Sequence, residues 1–470
     1  MAKLKTQINT IDSSPKNNNK SLKCNEKISN IDKHHGEKHF KAQDSLLTDL
    51  IDGNQQVRAV YNLILGFVGV YSLTTIGDYI IHWKRTKQDL DLALWNVRHF
   101  YPHFIIPWIV MNFSIVFILY PLIYLRSICQ QSKWKQILFN LGYLLNSSFM
   151  LIFCSLYIIY NETSLTISTA LTLELMRLLM KCHSYFIEKS NPNGLNVQTK
   201  PKLKNLMYFL FAPTLIYRDE YPRNNYIRWR FVLIHLIQFV VTVIVLFTIT
   251  MRFAIDRFHK TGLEPFQMSN TFEMLGSSFV YGFISSLFVF YMVLHVWHNL
   301  TAELLKFADR RYYDAWWESV SLTEFYRKWN ILVQDWLYAY IYVPIHRSTN
   351  SRAIAAYAVI FISGIAHEYV LAFSLGFFFP LLFISFSLGG HIYYLMTRNR
   401  KRTNWYNIMF LVVNKLGLGL IIFGYTIEWY SRINCPLNSE NSTIAVDVIQ
   451  QIIPRTLSCV QLNYDGRVIF

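Results

Sequence analysis

The residue best placed to do chemistry in this chain is His367. It lies in the middle of an apolar run, Ala353-Ile-Ala-Ala-Tyr-Ala-Val-Ile-Phe-Ile-Ser-Gly-Ile-Ala-His-Glu-Tyr-Val-Leu-Ala-Phe373, whose one other ionisable acid or base is Glu368. A hydrocarbon core about 30 Å thick is crossed by roughly 20 apolar residues in a helix, and this run is long enough. An ionised side chain at that depth costs about 2.5 kcal/mol or more, so a histidine there is expected to face a polar cavity. A neutral imidazole in such a cavity is a general base. The structural alternative is a buried histidine bonded to a neighbouring helix. Ser363 precedes His367 by one helical turn, on the same face.

A second concentration of functional types precedes it. Between Phe307 and Pro344 stand Trp316, Trp317, Trp329 and Trp336, from a chain total of 12 tryptophans. Ser321 or Thr323 can cap a helix with Glu324 in its first turn. Trp329, Val333, Trp336, Leu337 and Tyr340 then recur at helical spacing and predict one apolar face, with Asn330, Gln334 and Asp335 along another side. An interfacial helix accounts for the aromatics. Its polar side, just ahead of a span carrying His367, points to a polar chamber entered from the cytosol. The pairs His99/His103 and His295/His298 have one-turn spacing but no metalloenzyme motif, and no metal is expected.

These residues need a membrane scaffold. Of 470 residues, 53% are hydrophobic and 16% charged, against about 25% charged in soluble domains. Apolar runs at 61–83, 104–125, 136–160, 164–180, 229–254, 278–298, 353–376, 378–397 and 406–429 predict an all-α polytopic membrane protein of about nine spans. The net charge of +16 gathers between spans, at Lys181–Lys204, Arg218–Arg230, Lys306–Lys328 and Arg398–Arg402. That distribution marks cytosolic loops, not a nucleic-acid partner. Residues 1–59 read as a polar, mostly disordered cytosolic arm with a short interfacial helix near its end, and no signal-peptide core follows the start. Residues 60–430 read as the transmembrane domain and 431–470 as a lumenal tail. Cys435 and Cys459 share that tail, where a disulfide can persist. Cys129, Cys154 and Cys182 read as packing residues. The sequons at Asn161 and Asn441 agree with this topology.

The motifs resemble the membrane-bound O-acyltransferase superfamily, and within it the sterol O-acyltransferases. The carriers are Tyr312-Tyr-Asp-Ala-Trp-Trp-Glu318, Trp329-Asn-Ile-Leu-Val-Gln-Asp-Trp336, His367-Glu-Tyr369, the segment Phe209–Arg223, and Glu428-Trp-Tyr-Ser-Arg-Ile-Asn-Cys-Pro-Leu437. The similarity runs in order from about residue 45 to the end. It implies helices around a central catalytic chamber, with His367 and Asn330 as catalytic residues. It also implies an acyl-CoA tunnel held by Arg327, Asn330, Gln334, Tyr342, Arg352 and Ser363. Tyr313, Trp316, Trp317, Trp329 and Glu368 complete the signature, and Cys435–Cys459 matches the family's tail disulfide. Three positions depart: Ala315 and Glu318 replace an Asp and an Asn, and Gln334 replaces a His.

The implied reaction is direct transfer of a long-chain acyl group from acyl-CoA, a co-substrate, to the 3-hydroxyl of a sterol. It would take place in the endoplasmic reticulum membrane, in a homodimer or homotetramer, without a cofactor. Leu332 and Gln334-Asp335-Trp336 resemble the sterol branch more than the diacylglycerol branch. Alternatives are acylation of diacylglycerol, retinol or a fatty alcohol; a Ser363–His367 covalent route; a transporter; and an inactive sterol-binding relative.

Overall fold

The computed structural model describes residues 38–129, 132–190, 200–263, 268–397, 402–435 and 453–456. The chain divides into two units, Met1–His39 and Phe40–Phe470. Among the described residues the second unit is helical, with no strand beyond the isolated bridges Gln43–Asp309 and Arg223–Phe307.

In order, the helices are α1 (Leu46–Gly53), α2 (Gln55–Ile81), α3 (Trp83–Ser114, continued through a π turn to Tyr120–Ile128), α4 (Lys133–Tyr160), α5 (Leu165–Ser190) and α6 (Leu203–Phe211). They continue as α7 (Trp229–Phe258), α8 (Met268–Leu304), α9 (Leu322–Trp329), α10 (Ile331–Leu337), α11 (Val343–Thr349), α12 (Arg352–Leu375), α13 (Leu381–Thr397) and α14 (Asn404–Asn434). Every apolar run singled out from the sequence is helical. Among the described residues seven helices, α2, α3, α4, α7, α8, α12 and α14, are long and apolar enough to cross a membrane.

The two runs outside that set differ for physical reasons. Helix α13 is short and interrupted by a π turn at Ser385–Gly389. Helix α5 is long but polar, and it is buried along one face from Ile167 to Phe186. Its charges are met inside the protein. Glu174 pairs with Arg177 at 2.6 Å and accepts from Trp108 Nε1 at 2.9 Å. Lys181 is fully buried and donates to the carbonyls of Phe209, Leu210 and Ala212 at 2.6, 3.0 and 2.7 Å, capping the C-terminus of α6. At the same end Glu188 meets Arg218 and Lys189 meets Asp219, each at 2.8 Å.

The stretch 84–98, which separates the first two apolar runs, lies within α3. The segment after Phe40, expected to be the end of the arm, is woven into the fold. Gln43 N donates to Ala308 O, Arg310 N donates to Gln43 O, and Ser45 is fully buried against Asn299 and His295. The free cysteines Cys154 and Cys182 are buried and Cys129 is partly so. Cys435 is disulfide-bonded; Cys459, its expected partner, and Asn441 lie outside the described residues.

Helices α8 and α14 approach closely at two glycines. A methyl group built on Gly419 would stand 2.9 Å from Phe279 Cα, and one on Gly282 would stand 3.4 Å from Gly419 Cα. Small residues let spans approach in this way, because packing rather than hydrophobic collapse joins helices in lipid. Gly419→Ala is therefore expected to destabilise the protein by about 1–3 kcal/mol, read as a lowered unfolding temperature in detergent. An unchanged temperature would contradict the close approach.

Candidate active site

Helix α12 begins at Arg352, where Ser351 Oγ accepts from Ile354 N, and ends at Gly376 in the left-handed region (φ 74°). His367 sits in its second half. The imidazole Nδ1 lies 2.7 Å from Ser363 O and 3.4 Å from Ser363 Oγ. A carbonyl oxygen only accepts, so Nδ1 carries the proton and Nε2 holds the free lone pair of the neutral ring. His367 is exposed, with Phe386 alongside its ring at 5.2 Å between centroids. Nε2 has no partner among the described residues.

Neighbouring Glu368 points the other way and is 5% exposed. Its carboxylate accepts from Phe383 N at 3.0 Å and from Tyr425 OH at 2.9 and 3.0 Å. Tyr425 OH in turn accepts from Leu382 N at 3.1 Å. The first turn of α13 leaves its amides without intrahelical partners, and a carboxylate is the natural acceptor for them. Glu368 thus ties α12 to α13 and α14 and fixes the rotation that exposes His367. Tyr369 adds a bond to Ser155 at 2.8 Å, tying α12 to α4.

The tryptophan-rich segment is not the single helix that its spacing predicts. It breaks at Asn330, whose backbone is extended (φ −140°, ψ 90°), into α9 and α10. Asn330 Oδ1 accepts from Val333 N at 3.2 Å and caps α10. The strand-like run before α9 stitches the break from both sides: Asp314 N donates to Lys328 O at 2.9 Å, and Ile331 N donates to Tyr312 O at 2.9 Å. The expected apolar face is accordingly divided. Trp329 packs on Phe290, Trp316 and Phe325, while Trp336 and Tyr340 pack edge-on to or tilted against His183 and each other. Trp336 Nε1 donates to Met180 O at 2.8 Å. The Asn330 amide Nδ2 has no partner among the described residues.

His367 and Asn330 are not hydrogen-bonded to each other. Their link runs through Phe386, which packs on His367 and, at 6.1 Å, on Tyr326 of α9, one turn before Asn330. Ser321 caps α9 as expected (Glu324 N to Oγ, 3.3 Å). Burial pushes the Glu324 carboxyl up, but hydrogen bonds from Lys328, Val320 N and Arg402 hold it below its ordinary value.

Arg327 on α9 and Arg352 at the start of α12 are exposed and form no ion pair among the described residues. Tyr342 stacks on Tyr338 at 5.3 Å in a π turn that packs on α12. Gln334 is partly buried on α10. Tyr313 is buried and its hydroxyl bonds His295 Nδ1 at 2.9 Å. The carbonyl of Trp317 accepts from Asn407 Nδ2 at 2.8 Å. Sequence spacing missed Tyr425 and Phe386, and it marked His295 by its spacing to His298 but not as the partner of Tyr313. Each lies on a different element from the group it serves, so no local pattern marks the pairing. No cluster of metal-binding type occurs among the described residues.

The arrangement offers an open imidazole acceptor nitrogen on α12, a free amide donor at the α9–α10 break and exposed arginines on α9 and α12. Residues 131–427 match the family model of the membrane-bound O-acyltransferases. This chain belongs to the membrane-bound O-acyltransferase family. It is a multi-pass membrane acyltransferase. It is 33% identical over 438 residues to sterol O-acyltransferase 1 of Mus musculus, spanning 90% of this chain and 79% of that protein. It is 31% identical over 412 residues to sterol O-acyltransferase 2 of Homo sapiens, spanning 85% and 77%.

Glu368→Ala would leave buried donors on Phe383 and Tyr425 unmatched, at about 1–3 kcal/mol each. It is expected to lower the unfolding temperature in detergent, and Tyr425→Phe to lower it less. Equal stability of Glu368→Ala and the natural protein would rule out this tie between α12, α13 and α14.

Proposed function

We propose that this acyltransferase moves a long-chain acyl group from acyl-CoA to the 3-hydroxyl of cholesterol or a related sterol, yielding a steryl ester and free coenzyme A. The observation that carries the mechanism is the 2.7 Å bond from His367 Nδ1 to Ser363 O. With Nδ1–H committed, Nε2 takes the proton of the sterol hydroxyl as its oxygen attacks the thioester carbonyl. General-base help of this kind is worth about 10²–10⁴-fold. The amide donor of Asn330 stabilises the carbonyl oxygen as charge develops, a contribution on the order of 10²–10³. Coenzyme A leaves as the thiol after taking up that proton.

The same bond speaks against the covalent route. Ser363 Oγ lies 3.4 Å from the nitrogen that already carries a proton, so that nitrogen cannot take another. Ser363 then serves as a contact for acyl-CoA, together with Gln334 and Tyr342. Arg327 and Arg352 suit the coenzyme A phosphates through forked hydrogen bonds. The reaction calls for no metal or cofactor. Similarity to two sterol O-acyltransferases at 31% and 33% identity supports the sterol acceptor. We place the enzyme in the endoplasmic reticulum membrane as a homodimer or homotetramer, with residues 1–59 cytosolic and the disulfide tail lumenal.

Turnover of labelled oleoyl-CoA by purified protein, offered cholesterol or diacylglycerol, tests the reading. Steryl ester is expected, with rates down about 10²–10⁴-fold in His367→Ala and about 10²–10³-fold in Asn330→Ala. Ser363→Ala should retain most of the rate. Triacylglycerol as the main product would overturn the acceptor, and an active His367→Ala would overturn the base.

A further inference from the structure

Lys415 is not used by the mechanism proposed above. It lies within α14, a helix long and apolar enough to span, and is only partly exposed. Its ammonium donates to Ser286 Oγ on α8 at 2.9 Å. The hydroxyl proton of Ser286 is committed to Phe283 O at 2.8 Å, so Ser286 accepts and the lysine donates. The remaining contacts are two indole faces: the nitrogen stands 5.5 Å from the ring centre of Trp316 and 5.2 Å from that of Trp329. No carboxylate among the described residues pairs with it. Cation–π contacts offset part of the desolvation of an ammonium in a span, but they leave two of its three N–H groups unused.

An independent observation points the same way. Trp316 is 6% exposed, and its Nε1 is a buried donor with no partner. The ammonium, which has one neutral acceptor and no counter-charge, and the orphan indole N–H belong to one cluster, and an indole N–H can only donate. Both therefore call for an acceptor, and the ammonium calls for a negative one. The ligand must also dissolve in the bilayer.

We propose that Lys415 and Trp316 Nε1 form a subsite for the oxyanion head of a membrane-dissolved single-chain amphiphile. A fatty-acid carboxylate and a lysolipid phosphate share this chemistry. An amphiphile held here lies against Trp329, the residue preceding Asn330, so the subsite adjoins the proposed active site.

The test is equilibrium binding to protein in nanodiscs, read without any turnover. Labelled oleate, labelled lysophosphatidate and labelled oleyl alcohol are offered to the natural protein, Lys415→Arg and Lys415→Met. One of the anionic probes is expected to bind saturably, within threefold in Lys415→Arg and at least tenfold more weakly in Lys415→Met. Oleate as that probe assigns a carboxylate head and lysophosphatidate a phosphate. Oleyl alcohol should be indifferent to the substitution. Should Lys415→Met fail to fold, Trp316→Phe, which removes the indole donor and part of the ring surface, is expected to weaken the anion three- to tenfold while leaving oleyl alcohol within threefold. Equal affinity of the anions for the natural protein and these variants, or alcohol binding as tight as anion binding, would overturn the subsite.

Discussion

One hydrogen bond, from His367 Nδ1 to the carbonyl of Ser363, organises the chemistry proposed for this fold. It decides the tautomer, leaving Nε2 as the acceptor, and it costs no extra side chain because the helix supplies its own carbonyl. Backbone carbonyls four residues back are normally saturated by the helix ladder, but their second lone pair can take an imidazole N–H. An open base can thus be mounted on an ordinary spanning helix. The rest of the site has only to hold that helix at the right rotation.

That orientation is set by polar contacts between helices, which carry more discrimination in lipid than apolar ones. Glu368, next in sequence, faces away from His367 and grips the first turn of α13 and Tyr425 of α14. The adjacent residues divide the work, one held and one open. A comparable division occurs at Asn330. Its side-chain oxygen caps α10 while the run Tyr312–Asp314 bonds the backbone on either side of the break, which leaves the amide donor unspent. The tryptophan-rich signature is therefore scaffolding for an interrupted helix as much as it is a site. The replacements at Ala315 and Glu318 leave those backbone bonds in place, since the bonds do not depend on side chains at those positions.

Much of this was legible in the sequence. Apolar run length located every spanning helix, and an ionisable residue in such a run singled out His367. Ser321 was legible as a cap because its spacing to Glu324 is local. The break at Asn330 was not, because helical periodicity continues across it in the sequence. What interrupts the helix is a set of bonds to Tyr312 and Asp314, more than a dozen residues earlier. Glu368 showed itself as polar and intramembrane, but its partners lie fifteen and fifty-seven residues away. The packing of Phe40–Ser45 against Ala308–Arg310 was equally hidden, since a polar composition suggests an arm and pairing distant in sequence leaves no local trace. Helix α5 shows the converse. Its charges weaken the hydropathy signal of a helix that lies buried in the bundle, where Lys181 caps α6.

In the proposed mechanism His367 Nε2 activates the acceptor directly, and no acyl-enzyme intervenes. Rapid-quench analysis of purified protein mixed with labelled oleoyl-CoA, with and without cholesterol, tests this most directly. Direct transfer requires that label pass to steryl ester with none bound to protein at any time, and that thioester cleavage wait for sterol. A burst of protein-bound label in the absence of sterol, lost in Ser363→Ala, would contradict it.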